Sequence, residues 1–170
     1  LVILRALKNE TVVADTDLGK ALISLGAVAS RAVRSNAEEE YTLLFYGMGS
    51  GGELNPYASH YLTGFVYEKP LANLRRDMIS LGIEASGLSS EPEDHIAYLC
   101  EIMHGLITGA LGETTGIETQ KKIFLNHMAP WAGQFFADLE RADSAVIYMP
   151  VGTIGRLFMA IEASGFEIED

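Results

Sequence analysis

Glu101 and His104 stand three residues apart, a spacing that puts both on one helix face and that helical di-iron sites use for their ligands. Such a centre takes two of these motifs and two further carboxylates, and the chain has no second Glu-x-x-His. The pair therefore reads as a solvated polar face, and no metal or other cofactor is expected. Gly47-Met48-Gly49-Ser50-Gly51-Gly52 invites comparison with a phosphate cradle of successive backbone amides. No Gly-Lys-Ser/Thr follows it, and the next residue is Glu53, which opposes a phosphate, so a flexible loop is the expectation. Cys100 falls on an apolar stripe and is expected to be a packed, inert thiol. Ser59 and His60 are neighbours that point about 100° apart on a helix, so no catalytic triad is built there. His60 and His127 read as surface or partly buried polar groups rather than ligands.

Two clusters remain whose chemistry suits binding. Ser89-Ser90-Glu91-Pro92-Glu93-Asp94-His95-Ile96 opens what the periodicity predicts to be the longest helix. Ser90 or Glu91 is expected to cap it, Pro92 to take the first turn, where no amide hydrogen is needed, and the carboxylates to favour the positive helix end. Those roles leave His95 unexplained. A charged imidazole is disfavoured in a first turn, which predicts a neutral or Asp94-paired ring at the surface. In Asn55-Pro56-Tyr57-Ala58-Ser59-His60-Tyr61-Leu62, Pro56 can start a helix that sets Tyr57 and Tyr61 four apart on one face, with Leu62 beside them. Two tyrosines so placed serve either as a recognition surface or as core aromatics with tethered hydroxyls.

The elements that must position these residues are helical. Ile96, Leu99, Cys100, Met103, Ile107 and Ala110 form an apolar stripe along a helix of about 18 residues. Leu71, Leu74, Met78 and Leu81 form another, stopped at Gly82. Phe124, Met128, Trp131 and Phe135 form a third, which Pro130 kinks or restarts before a helix running to about Arg141. Leu18, Leu22, Leu25 and Val28 predict a helix, as do Glu38 to Phe45 and the stripe Ile154, Leu157, Phe158 and Ile161, closed at Gly165. Thr11-Val12-Val13 and Ala145-Val146-Ile147-Tyr148-Met149 have strand character but no partner, so both are assigned to helix ends or loops. The expected fold class is all-α, a single domain over 1–170 with two lobes meeting near 47–56.

The chain of 170 residues carries a formal charge of −11. Residues 91–170 hold thirteen acidic and four basic groups, so the negative potential is concentrated there. Phosphate backbones and anionic lipids are repelled by such a surface, which argues against nucleic acid and membrane and for a cationic partner. No apolar run approaches the roughly 20 residues a bilayer span needs, and Leu1-Val2-Ile3-Leu4-Arg5 lacks the form of a secretory signal. One cysteine gives no sign of an oxidising compartment, so the expected location is the cytoplasm. Arg75-Arg76 lies mid-chain on a predicted helix and is not an export signal.

Four blocks occur in order: Glu40-Tyr41-x-x-Leu44-Phe45-x-Gly47, Pro56-Tyr57-x-Ser59-x-Tyr61-Leu62, Glu91-Pro92-x-Asp94-His95-Ile96, and His127-Met128-x-Pro130-Trp131 with Phe135 and Leu139. Over about residues 38–165 the chain resembles the TorD/DmsD-type family of cytoplasmic redox-enzyme maturation chaperones. The resemblance implies an all-helical domain that performs no chemistry. It also implies a partner, the twin-arginine leader peptide of a molybdenum or tungsten oxidoreductase and the apo form of its catalytic subunit. The family's leader-binding positions fall on Tyr57, Ser59, Tyr61 and Leu62, and on Pro92, Asp94 and His95, with Trp131 structural. Two adjacent guanidinium groups followed by an apolar segment require carboxylates beside an aromatic groove. Glu91, Glu93 and Asp94 supply the first and Tyr57, Tyr61 and Leu62 the second, if the two segments meet. An alternative is a nitrate-reductase-type assembly factor that grips the catalytic subunit without the leader, and a less favoured one is a metal- or nucleotide-binding helical enzyme. Relative to the family, the chain is expected to carry a shortened first helix, and Tyr stands where Trp is frequent. The expected state is a monomer or a helix-swapped dimer with 47–52 as hinge.

Overall fold

A computed structural model of the chain describes residues 15–47, 51–85, 87, 90–112 and 114–168, with the side chain of Ile168 left out. Thr11-Val12-Val13 and residues 48–50 of the glycine loop lie outside the described residues. Those described form eight helices and no strand: α1 (Asp17–Arg31), α2 (Arg34–Phe45), α3 (Ala58–Thr63), α4 (Lys69–Ser80), α5 (Ile96–Thr108), α6 (Ile117–His127), α7 (Ala132–Arg141) and α8 (Tyr148–Ile168). The chain is all-α. The helices sort into two compact units, one of described residues up to Asn55 with Gly133–Gly165, the other of Pro56–Ala132 with Phe166 onward.

In the first unit, α1 is capped by Thr16, whose Oγ1 accepts the Gly19 N–H at 3.0 Å, and Asp17 and Arg31 complement the helix dipole at its two ends. Of the expected stripe only Leu25 is fully buried; Gly19, Ala21, Gly26 and Ala29 complete the inner face. Small residues bring backbones close, and a pattern weighted by large side chains misses them. At the end of α2 the Gly47 N–H donates to the Thr42 carbonyl at 2.7 Å with φ at 64°. A Cβ there would lie 1.8 Å from the Gly51 oxygen, so only glycine fits. Helices α7 and α8 touch at Gly152, where a Cβ would meet the Glu140 nitrogen at 2.4 Å. Beside that contact Arg156 Nε donates to Glu140 at 2.6 Å and Thr153 Oγ1 at 3.0 Å. The guanidinium hydrogen bond outweighs burial and holds the Glu140 carboxyl below its ordinary range.

The deepest polar feature of this unit is Glu40, buried on α2. Its carboxylate accepts the N–H groups of Val146, Ile147 and Tyr148 at 2.8, 3.0 and 2.8 Å. Residues 145–147 are thus the turn into α8, whose otherwise unpartnered first amides and positive end the carboxylate satisfies. Burial, then the Glu40 charge, raises the Tyr148 phenol above its ordinary range. Helix α8 does not close at Gly165 but continues to Ile168, and with 21 residues it is the longest described helix. One solvent-facing glycine costs a helix only about 1 kcal/mol, and Phe166 beyond it is buried with its ring centroid 5.3 Å from that of Phe124.

In the second unit α3 packs on α4, α5 on α6, and α4 on α6. Leu71, Leu74 and Met78 bury the inner face of α4 as their spacing predicts, and Gly82 stops it at φ 68°. The proline break falls where expected, with α6 ending at His127 and α7 starting at Ala132. Trp131 between them is buried, and its Nε1–H donates to the His127 carbonyl at 2.7 Å. His127 Nε2 lies 2.8 Å from Asp77 Oδ2, with Lys122 at 3.5 Å from the same carboxylate. Burial alone would raise the Asp77 carboxyl; the His127 hydrogen bond and the Lys122 charge outweigh it and hold it below the ordinary value.

Helix α5 has 13 residues rather than about 18, because Gly109 takes the left-handed conformation at φ 77° and ends it. Its buried face is Ile96, Leu99, Ile102, Met103, Gly105 and Leu106, whereas Ile107 and Ala110 face water. Cys100 is exposed, which corrects the expectation of a packed thiol. Partial desolvation by its neighbours, then the Glu101 charge, pushes the thiol up, so it stays a poor nucleophile near neutral pH for a different reason. Glu101 and His104 both face solvent.

Candidate functional site

The two clusters, more than thirty residues apart in sequence, are stitched together. Tyr57 and His95 form an isolated antiparallel bridge. Beside it the Ile96 N–H donates to the Pro56 carbonyl at 2.9 Å and the Ala58 N–H to the Asp94 carbonyl at 3.0 Å. These bonds fix the starts of α3 and α5 side by side. They also move the start of α5: Ser90 and Glu91 do not cap it and Pro92 is not in its first turn. Residues 91–95 instead form a turn in which the His95 N–H reaches the Pro92 carbonyl at 3.1 Å, and His95 itself is the N-cap. Its Nδ1 accepts the Ala97 N–H at 3.1 Å, which requires the neutral ring protonated at Nε2.

Asp94 is 1% exposed, and its Oδ2 accepts the Ser59 N–H at 2.8 Å, so it serves as the cap of α3. Its Oδ1 has no hydrogen-bond partner among the described residues. Ser59 is fully buried, and its Oγ accepts the Glu68 N–H at 3.3 Å, tying down the far end of the loop after α3. Pro92 is buried as well. Ser59, Pro92 and Asp94 therefore position the site from beneath, and Asp94 is not offered to an incoming cation.

The outer layer is formed by Tyr57, His95, Glu91, Tyr61 and Leu62. The Tyr57 hydroxyl donates to a Glu91 carboxylate oxygen, and the Tyr57 and His95 rings meet edge to face with centroids 5.2 Å apart. Tyr61 lies against Trp131 at 5.4 Å and is only half-buried, and Leu62 is exposed. Glu93 is engaged by Arg75 at 2.7 Å, a contact that no local spacing signals because 18 residues separate the pair. Tyr57, Glu91 and His95 thus share one surface, with Glu91 rather than Asp94 as its half-buried carboxylate, while Leu62 lines a groove with Arg76, Asp77 and His127. Among the described residues no group of three or more His, Cys, Asp or Glu is placed to hold a metal, and no helix is long and apolar enough to cross a membrane.

Burial pushes the His95 imidazole below its ordinary value, against the opposing pull of the Glu91 and Asp94 charges. A histidine with a depressed folded pKa favours the neutral form in the fold, so its contribution is full above the unfolded value near 6.5 and is lost as pH falls below it. Thermal stability is expected to fall between about pH 7 and pH 5, and His95→Asn, a capping residue that does not titrate, to flatten that segment. Identical pH profiles for the two proteins, followed by circular dichroism, would remove His95 from the account.

The chain belongs to the family described as nitrate reductase delta subunit, whose family model matches residues 13–137. The similarity to TorD-type chaperones read from the four sequence blocks is borne out by curated relatives. The chaperone protein TorD of Escherichia coli O157:H7 is 30% identical over 128 residues, 71% of this chain and 61% of the relative. That of Shigella dysenteriae serotype 1 matches at 30% over the same length, and that of Escherichia coli K12 at 29%. The chain thus spans 61% of the length of these relatives.

Proposed function

We propose that the chain is a cytoplasmic, non-catalytic maturation chaperone for a molybdenum or tungsten oxidoreductase. It binds the twin-arginine leader of the apo catalytic subunit and delays export until the cofactor is inserted. The observation that carries this reading is the junction of Tyr57, Glu91 and His95, held by the bridge between the starts of α3 and α5. A leader guanidinium meets the Glu91 carboxylate, and the apolar segment after it lies on Tyr57, Tyr61 and Leu62, while Ser59, Pro92 and Asp94 keep the two helix starts in register.

A second reading is favoured by the description of the matching family, nitrate reductase delta subunit. Here the chain acts as an assembly factor on the catalytic subunit itself, and the leader contributes nothing. Titrating the full chain with an excised twin-arginine leader and, separately, with a leaderless apo subunit distinguishes the two. Binding of the peptide that is lost when both its arginines become glutamine supports the first reading. Binding of the leaderless subunit alone replaces it with the second.

A further inference from the structure

Helix α4 and the loop before it carry an exposed apolar surface in a segment, residues 64–80, with three basic residues against two acidic ones. Phe65, Tyr67 and Ile79 are 70%, 68% and 77% exposed, with Val66 beside them. Single exposed hydrophobes are ordinary, but several gathered along one short segment mark an interaction surface. Tyr67 and Ile79 also line a groove of about 390 Å³ together with Leu71 and Ala72, and its charged rim is Arg75, Arg76 and one carboxylate, Glu68. Tyr67 is, among the described residues, the single non-glycine with a left-handed backbone, at φ 62°. That conformation is strained for a bulky residue, and here it accompanies an aromatic ring held in water rather than in the core.

The charges around this groove are distinctive in so acidic a chain. Of the three basic residues on α4, Lys69, Arg75 and Arg76, the two arginines line the groove opposite the single carboxylate Glu68. Arg75 is held by Glu93, whereas Arg76 reaches only the Asn73 amide oxygen, at 3.0 Å, and has no carboxylate partner among the described residues. An apolar floor with a guanidinium rim is complementary to a segment that carries carboxylates beside aliphatic or aromatic side chains. We propose that this face docks an acidic, amphipathic segment of a protein partner. It takes carboxylates where the surface of Tyr57, Glu91 and His95 takes cations, adjoins the turn of that surface through the Arg75–Glu93 pair, and does not depend on that surface being a leader site.

The probe is a fluorescein-labelled helical peptide of about 18 residues, with Leu and Phe on one face and Glu on the other, and a control with Lys in place of Glu. Fluorescence anisotropy with the full chain should show saturable binding of the Glu peptide that weakens as salt rises. Arg76→Glu and Ile79→Asp, both at exposed positions, should each weaken it at least about tenfold, while Arg76→Lys retains most of it. Affinity for a twin-arginine leader should be unchanged in Ile79→Asp. Equal binding of the Glu peptide to wild type and both disruptive variants, or preference for the Lys peptide, overturns the proposal. So does a concentration-dependent dimer abolished by the same variants, which assigns the face to a second copy. Binding to phosphatidylglycerol vesicles abolished by those variants assigns it to a membrane and overturns the proposal equally.

Discussion

Replacing Trp131 by alanine is expected to cost about 3–5 kcal/mol of folding stability, the range for removing a fully buried large aromatic. For a chain of this length that lowers Tm by roughly 6–20 °C. Trp131 is 2% exposed, stacks near Tyr61 with ring centroids 5.4 Å apart, and donates its indole N–H to the His127 carbonyl at 2.7 Å. Alanine leaves both a cavity and an unpartnered carbonyl. Trp131→Phe fills most of the volume and loses only the hydrogen bond, so about 1–2 kcal/mol is expected for it. Because Trp131 is the sole tryptophan, its emission reports unfolding of the wild type, and the variants are followed by circular dichroism. A loss below about 1 kcal/mol for the alanine variant would show that the site rests on other supports.

Glu40→Ala is expected to cost about 3 kcal/mol, because it strands three amide N–H groups at 2.8–3.0 Å from a carboxylate that is 7% exposed. The loss falls on the start of α8, so protection of the Val146, Ile147 and Tyr148 amides from hydrogen exchange should collapse before global unfolding. Glu40→Gln retains one acceptor oxygen in place of two and should lie between alanine and wild type. Unaltered exchange at those three amides in the alanine variant would contradict the assignment of Glu40 as the cap of α8.

Local pattern made much of the helical fold legible. The α4 stripe and its glycine stop, and the break between α6 and α7 at Pro130, depend on neighbours three or four residues apart, and the structure places them as expected. The errors share a cause in contacts made far along the chain. Pro92 with its flanking carboxylates has the composition of a helix start, yet hydrogen bonds to residues 56 and 58 hold that segment as a turn and begin α5 at Ile96. Cys100 matches the apolar period, but the centre of the buried face lies along Leu99, Ile102, Met103 and Leu106, one residue to the side. Small residues carry the buried face of α1, and a burial signal weighted by large side chains passes over them.

The sequence blocks named the candidate residues but carried nothing of their geometry. The sequence blocks bring Tyr57, Ser59, Tyr61, Leu62, Glu91, Pro92, Asp94 and His95 to attention together. Their division into a buried frame and an outer surface follows from burial and hydrogen bonding alone. Asp94 illustrates the difference: read as a carboxylate for arginine, it is instead buried beneath the site and committed to the Ser59 amide. Glu91, read both as a cap candidate and as a carboxylate for arginine, does not cap α5 and is the half-buried carboxylate next to Tyr57 and His95.

The affinity of a twin-arginine leader peptide for the wild-type chain and for Glu91→Gln, measured by calorimetry at low and high salt, tests the central claim most directly. Loss of a charge-assisted hydrogen bond of about 1.5–3 kcal/mol predicts binding roughly 10- to 100-fold weaker in the variant, with a shallower salt dependence. Equal affinity and equal salt dependence for the two proteins, or no leader binding by the wild type, would contradict it.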